Sequence, residues 1–381
     1  MKILIIGGGI GGLAAASFLE KKGFEVTLIE RAPEFKNIGF SMSIFPNGRR
    51  MLRELGVDDE VGKKGYVVPW LEIADSRGHI LGSRINMKEV ENPEDEPIVS
   101  IERANLHESL VKNLKHTKIL LGVTVEQLKN EKNEVQVLFS NGKKEIFDIV
   151  VAADGINSKI REDIFGHHQS FFYGWSLRFF WVPSHIPAPK GVVCLSKAGS
   201  TFTLYPTIGK CCVGIYEYNP KRVNHPPLSI NDFLPYLTKH GWTQKHIDDI
   251  SKEAAKGDQY YDHLRYITGG PWYKKRIVLL GDAKHGMAPI TGMGGTMALE
   301  DAFVLADELA KVETSNIHTA LENYSKRRTR RVDQVMGLSH FLERFYFIKS
   351  PLERFIRDII MSIIPKGIVT SKLKKIVYEP I

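Results

Sequence analysis

Three glycines within six residues near the start of the chain constrain its fold more than any other feature. Gly7, Gly9 and Gly12 stand inside MKILIIGGGIGGLAAASFLEKKGFEVTLIE. An apolar run at residues 3–6 precedes them, residues 14–19 continue with helical character, Gly23 offers a helix stop, and a second apolar run at 26–29 ends in Glu30. That order predicts strand, glycine turn, helix, strand. In this context G-x-G-x-x-G has a mechanical reading. Gly7 permits the tight turn, Gly9 lets backbone approach a pyrophosphate, and Gly12 lets the helix pack on the strand. The helix start then presents N–H groups and a positive dipole end to phosphates. Glu30 is placed to accept hydrogen bonds from a ribose diol, and Arg31 follows it. The motif reads as a dinucleotide site and by itself does not separate NAD from FAD.

A chain of 381 residues suits two intimately joined domains, or one large α/β unit with an insertion. With 43% hydrophobic and 25% charged residues it has the composition of a soluble globular protein. A formal charge of +8 admits nucleic acid, a membrane surface or anionic ligands as partners. The simpler reading is a lysine-rich composition with a dinucleotide to bind. No basic arm or Lys/Arg tract with interleaved aromatics marks a nucleic-acid face, so none is expected. Cys194, Cys211 and Cys212 are odd in number and lack metal-ligand spacing, which suits a reducing cytoplasm and no metal. No apolar run reaches the roughly 18 residues that cross a bilayer, so stable membrane insertion is not expected.

Two later turns repeat the logic of the first. Strands are expected at 119–126, 134–139 and 145–152, with Asn141-Gly142 as a hairpin turn. The last runs into Asp154-Gly155 and a short helix that Asp154 can cap. A buried strand at 276–280 ends in Gly281-Asp282, and Gly292, Gly294 and Gly295 open a helix from 296 to 311. Between these, residues 67–74 and 79–85 read as strands around a turn at 76–78. A helix at 99–114 carries Arg103 at its start, where it can reach an anion or make a surface salt bridge. Ser43 lies beside the first crossover, as a cofactor contact or a plain turn residue. Residues 171–218 form an aromatic-dense β block with proline-rich loops at 183–189 and 220–227, walling a pocket or filling a core. Residues 229–257 are polar and helical. A helix at 317–347 has a basic face at 326–331. A second helix starts with Ser350 as N-cap, Pro351 at N1 and Glu353 at N3. Its apolar stripe runs Leu352, Phe355, Ile356, Ile359, Ile360, Ile363 and is expected to pack on its own domain; Pro365 and Gly367 stop it.

These turns fall in a recognisable order: G-x-G-x-x-G with Glu30, then Arg103, then Asp154-Gly155 with Ser158 and Arg161, then Gly281-Asp282 with His285, Pro289, Gly292 and Gly294. The chain resembles the class A flavin-dependent aromatic monooxygenases, the para-hydroxybenzoate hydroxylase fold, over residues 1–334. The C-terminal helices look like those of the tetracycline destructases. The resemblance implies an α/β fold: a Rossmann-like FAD-binding domain (1–75, 99–170, 269–315) with an inserted β-sheet substrate domain (76–98, 171–268) and C-terminal helices (316–381), the second over the substrate site. It implies FAD as cofactor, with Glu30 at the adenosine ribose, Arg103 at the pyrophosphate, Val125 near the adenine, Asp282 at the ribityl and pyrophosphate, and Pro289 with residues 292–295 along the isoalloxazine. Asp154 would serve both FAD and the reductant's approach. Lys284 and Thr296 depart from the family, where a small residue and Asn are usual.

The implied reaction takes electrons from NADPH or NADH and an oxygen atom from O₂, through a flavin C4a-hydroperoxide, and hydroxylates an electron-rich aromatic or polycyclic substrate such as a tetracycline. Arg178, Phe179 and Tyr205 are nominated to touch it, subject to strand register. No Ser/His/Asp triad or metal cluster is needed, and His285 is expected to be structural. Rival readings are a hydroxylase of salicylate-like or kynurenine-like aromatics, a flavin reductase, or a nucleotide-binding regulator without turnover. A flavin halogenase would carry W-x-W-x-I-P, which this chain lacks.

Overall fold

A computed structural model describes residues 1–381 except 36–38, 83, 93, 167–168, 225–229, 256–258 and 380–381. Parts of the loops expected at 31–40, 93–97 and 220–227, and parts of the segment 229–257, therefore lie outside the described residues.

The first apolar run becomes the strand Lys2–Ile6, and Ile3, Leu4 and Ile5 are fully buried. Such a run, apolar on both faces, suits a central parallel strand. It pairs in parallel with Glu25–Glu30 on one side and Ile149–Ala152 on the other. Ile277–Leu279 and Lys118–Leu121 extend the same sheet, and Tyr273–Lys274 forms an antiparallel edge. Because the central strands run in one direction, Ile6, Ala152 and Leu279 end at the same edge. The three glycine-and-acid turns that follow them are gathered there. The helices Ile10–Lys21 and Gly294–Leu309 pack against each other on one face of this sheet.

A second sheet of seven strands has the order Tyr260–Thr268, Gln169–Trp181, Lys210–Tyr218, Ser200–Thr207, Val192–Lys197, Trp70–Asp75, Ile85–Asn86. Alternation gives it two apolar faces. Val193, Leu195, Phe202, Leu204, Val213 and Ile215 pack with Phe233, Trp242 and Ile250 in a core of their own. The opposite face turns toward the first sheet.

Three expected strands are broken. Residues 67–74 divide at Val68-Pro69: Tyr66–Val67 joins a small sheet with Val99–Glu102, and Trp70–Asp75 joins the large one. Pro69 has no N–H to give a ladder. Residues 119–126 divide at Gly122, whose φ of +70° turns the chain between sheets. Residues 145–152 divide at Asp148, whose carboxylate accepts the Lys2 N–H at 2.7 Å. The turn expected at 76–78 is held by Asp75, whose Oδ1 accepts the N–H groups of Arg77 and His79 at 2.9 and 2.8 Å.

The C-terminal helices differ most from expectation. The long helix Ile317–Tyr346 does not present a uniformly basic face: Arg328 is fully buried and Arg331 nearly so. Arg328 donates to Asp301 Oδ1 at 2.6 Å and Glu300 Oε2 at 2.8 Å, and Arg331 reaches Glu300 Oε1 at 3.0 Å. Asn47, from the helix Pro46–Leu55, also donates to Glu300 at 2.6 Å. Asp301 Oδ2 accepts the Gly281 N–H at 2.9 Å and meets His285 Nε2 at 2.6 Å. The helix Pro351–Ile363 has its capping box, yet its apolar stripe faces outward. That helix ends at Ile363, ahead of Pro365 as expected; what was not expected is that Pro365 N-caps a third helix, Lys366–Tyr378, which runs through Gly367.

Burial alone raises the Asp301 pKa, but His285 and Arg328 overcome it and hold it at about 2. Its folded value thus lies below the ordinary 3.8. The stability this group adds is full above the ordinary value and is lost as pH falls through the folded one. Arg328→Met takes the shared cation from two buried carboxylates and is expected to lower the unfolding free energy by about 3–5 kcal/mol, read by urea unfolding at neutral pH. A loss below about 1 kcal/mol would show that the network is not what holds this helix.

Candidate active site

The first glycine turn is closed by backbone contact. Gly7 has φ +107°, and a Cβ there would meet the Ala153 carbonyl oxygen at 2.4 Å. A Cβ on Gly12 would lie 1.9 Å from the Gly7 carbonyl oxygen. Glu30 braces the turn with both oxygens: Oε2 accepts the Gly8 N–H at 2.8 Å and Oε1 the Ala32 N–H at 3.0 Å. The helix Ile10–Lys21 begins after Gly9 with no side-chain cap. Its first N–H groups are thus available at the sheet edge.

That helix end faces a cavity of about 340 Å³. Of the residues expected at a cofactor, Gly9, Ser43, Arg103, Asp282, Pro289, Gly292, Gly294 and Gly295 line it. The helix Gly294–Leu309 also starts there without a side-chain cap, so two helix N-termini share one cavity. Gly292, at φ +65°, brings backbone close to Ser43. Arg103 sits at the start of the helix Arg103–Asn113, with Nη2 3.9 Å from where a Gly9 Cβ would stand. Enclosure lowers its pKa, and Asp282 and Glu30 oppose the shift. Asp282 opens to the cavity; desolvation by the protein around it raises its pKa, opposed by His285 and Arg103.

The remaining expected residues lie around this cavity or away from it. Gly7, Gly12 and Glu30 shape the turn behind it. Asp154 lies between two lining residues, Ala153 and Gly155; its Oδ2 accepts the Ile160 N–H at 3.3 Å and its buried Oδ1 has no hydrogen-bond partner. Burial raises its pKa. Arg31 is exposed after its strand, and Val125 is half-buried on the strand Val125–Asn130. Lys284 spans a gap: its ammonium donates to the Gly269 and Gly270 carbonyls at 2.7 and 3.1 Å and lies over the Trp272 ring. Thr296 is fully buried against Gly48 of the neighbouring helix.

A second chamber of about 140 Å³ adjoins the first, and Ser43, Tyr205, Pro289 and Gly292 border both. Among the described residues no charged side chain lines it. Its walls come from the inner face of the large sheet (Cys194, Thr201, Thr203, Tyr216), from Leu338, Leu342 and Tyr346 of the long helix, and from Leu373 of the last helix. Phe179 and Tyr205 face the cavities, whereas Arg178 is one residue out of phase. It lies on the other face of the sheet, with Nη2 3.8 Å from Glu217 Oε2. Enclosure pushes the Tyr205 phenol up to about 12, so it stays neutral and can donate a hydrogen bond. The helix Pro351–Ile363, expected over the substrate, contributes nothing to this chamber. Tyr216 belongs to the aromatic block expected to wall a pocket or fill a core, and it walls the chamber; Thr201 and Thr203 escaped the sequence reading, although the alternation of Thr201, Thr203 and Tyr205 against Phe202 and Leu204 was visible.

Comparison with known proteins places this geometry. The family model described as FAD binding domain matches residues 1–339. A putative FAD-dependent monooxygenase of Bacillus subtilis, YetM, is 30% identical over 365 residues, covering 90% of this chain and 93% of the relative. The crystal structure of Klebsiella pneumoniae HpxO complexed with FAD and uric acid superposes with a TM-score of 0.83 at 22% identity, over 99% of this chain and 96% of that one. Tetracycline destructase Tet(55) superposes with a TM-score of 0.75 at 22% identity, over 99% and 97%.

The glycines give a graded prediction. A Cβ on Gly12 meets rigid backbone, whereas on Gly295 it meets the mobile end of Met42 at 2.3 Å. Gly12→Ala is expected to lower the melting temperature far more than Gly295→Ala. Equal shifts would mean that the turn relaxes as readily as a methionine.

Proposed function

The chain belongs to the FAD binding domain family, that of the class A aromatic hydroxylases, and from that premise we propose that this FAD-dependent monooxygenase hydroxylates an uncharged, electron-rich aromatic or polycyclic substrate. The cavity suits its cofactor. Two uncapped helix starts attract a pyrophosphate and an electron-rich ring edge. Bare glycine backbone at Gly9, Gly292, Gly294 and Gly295 leaves room for close approach. In this reading the Gly9–Gly11 backbone and Arg103 hold the pyrophosphate, Glu30 and Arg31 the adenosine ribose, and Val125 the adenine. Asp282 takes the ribityl chain, and Ser43, Pro289 and residues 292–295 border the ring. Asp154, with one oxygen unpartnered, stands where it can serve both FAD and the approach of NADPH or NADH. When bound and reduced by NAD(P)H, FAD supplies the activation of O₂. The protein orients the substrate carbon beside the ring, and the apolar chamber keeps water away from it.

The substrate reading rests on the chamber wall. A carboxylate there would find no cation, and an unpaired buried charge is costly. This weighs against salicylate-like and kynurenine-like acids. Thr201 and Thr203 donate their hydroxyl protons to the Tyr346 and Gly214 carbonyls at 2.8 and 3.0 Å, which leaves their lone pairs to accept from a substrate, and Tyr205 donates one hydrogen bond; this suits a neutral phenol or enol. A tetracycline is the second reading, favoured by a fold likeness that extends through the C-terminal helices.

Asp282→Ala is expected to purify without the yellow of bound flavin; a variant with full flavin occupancy would remove Asp282 from the cofactor site. Purified holoenzyme should consume NADPH faster with uncharged phenols or a tetracycline than with salicylate, and the product should gain one oxygen by mass. Coupled turnover of salicylate alone would overturn the uncharged-substrate reading.

A further inference from the structure

The helix Pro351–Ile363 is turned inside out relative to a helix that packs on its own domain. Its Arg357 is buried, donating from Nη1 to the Phe345 carbonyl at 2.7 Å and from Nε to Asp358 Oδ1 at 2.6 Å. Its apolar residues Leu352, Phe355, Ile356, Ile359, Ile360 and Ile363 are between 39% and 71% exposed. They recur at the spacing of a single helical stripe, so they form one patch. A contiguous exposed apolar patch marks an interaction surface.

Charge identifies what covers it. Residues 341–378 hold eight Lys/Arg against three Asp/Glu, a net +5 within a chain of +8. Arg344, Lys349, Lys372 and Lys375 are exposed. The helix's two acids are engaged, Glu353 in the capping box and Asp358 with Arg357. An exposed apolar stripe within a basic, partly exposed segment suits an interfacial helix on anionic lipid. A second copy of this chain would bring the same positive charge against itself. Behind the helix lies an apolar cavity of about 170 Å³, bordered by Ile73, Leu81, Phe341, Met361 and Ile368. It shares Leu71, Leu338, Leu342, Tyr346 and Leu373 with the substrate chamber.

We propose that the outward face of Pro351–Ile363 docks on a bilayer surface carrying anionic headgroups. Among the described residues no helix is long and apolar enough to cross a membrane, so the contact is peripheral. Through Met361 the same helix borders the cavity that shares five wall residues with the substrate chamber.

The test is sedimentation of full-length holoprotein with phosphatidylcholine vesicles, with and without phosphatidylglycerol. The protein should bind at least about tenfold more to the anionic vesicles, and raised salt should weaken binding. Leu352→Ser/Phe355→Ser/Ile359→Ser should stay in the supernatant while keeping its flavin and its NADPH oxidation. Failure of the wild-type protein to sediment, or equal sedimentation of the triple variant, would overturn the proposal. So would a wild-type dimer in vesicle-free buffer that the triple variant dissolves, which would assign the face to a second copy. Sedimentation needs no turnover, so its outcome is independent of the substrate reading above.

Discussion

Two adjacent buried acids, Glu300 and Asp301, hold the architecture together. Neither is exposed at all, so neither can stay ionised without partners. Their partners come from separate parts of the chain: Asn47 from the second helix of the fold, His285 and the Gly281 amide from the third glycine turn, and Arg328 and Arg331 from the long C-terminal helix. Burying such a network gains little over well-packed apolar residues. What it does gain is register. Hydrogen bonds at fixed angles admit one placement of the long helix against the turn, where an apolar seam would allow sliding.

The parts of the fold governed by local sterics were readable in the sequence. Gly7 and Gly12 were assigned their turn because no other residue fits, and the structure puts backbone where their Cβ atoms would be. Ser350 and Glu353 announced a helix start and form it. What escaped depended on contacts distant in sequence. Lys326, Arg327, Arg328, Arg330 and Arg331 read as a basic surface because nothing nearby reveals that two of them meet acids 27 to 31 residues earlier. Arg178 and Phe179 were nominated together, yet adjacent strand residues face opposite ways and only register chooses between them. A helical period likewise shows that an apolar stripe exists without showing which way it faces.

The cavity and the chamber divide the work by chemistry. The first is polar at its edges, with two helix N-termini and a carboxylate from the glycine turns at one sheet edge and a guanidinium from the start of the helix Arg103–Asn113. The second is mostly apolar, and the polar side chains among its described lining residues are hydroxyls and the Cys194 thiol. In the proposed reading, placing charge on one side and excluding it from the other would keep a reactive ring edge dry while protein dipoles solvate the phosphates.

The long helix joins these regions as a single lever. Arg328 and Arg331 pin one stretch to the glycine turn, while Leu338, Leu342 and Tyr346 wall both the substrate chamber and the cavity outside it. The two functions are thus spaced along one rod, about two turns apart. Substitutions at the distal positions can remodel what enters the protein without disturbing what the turn holds.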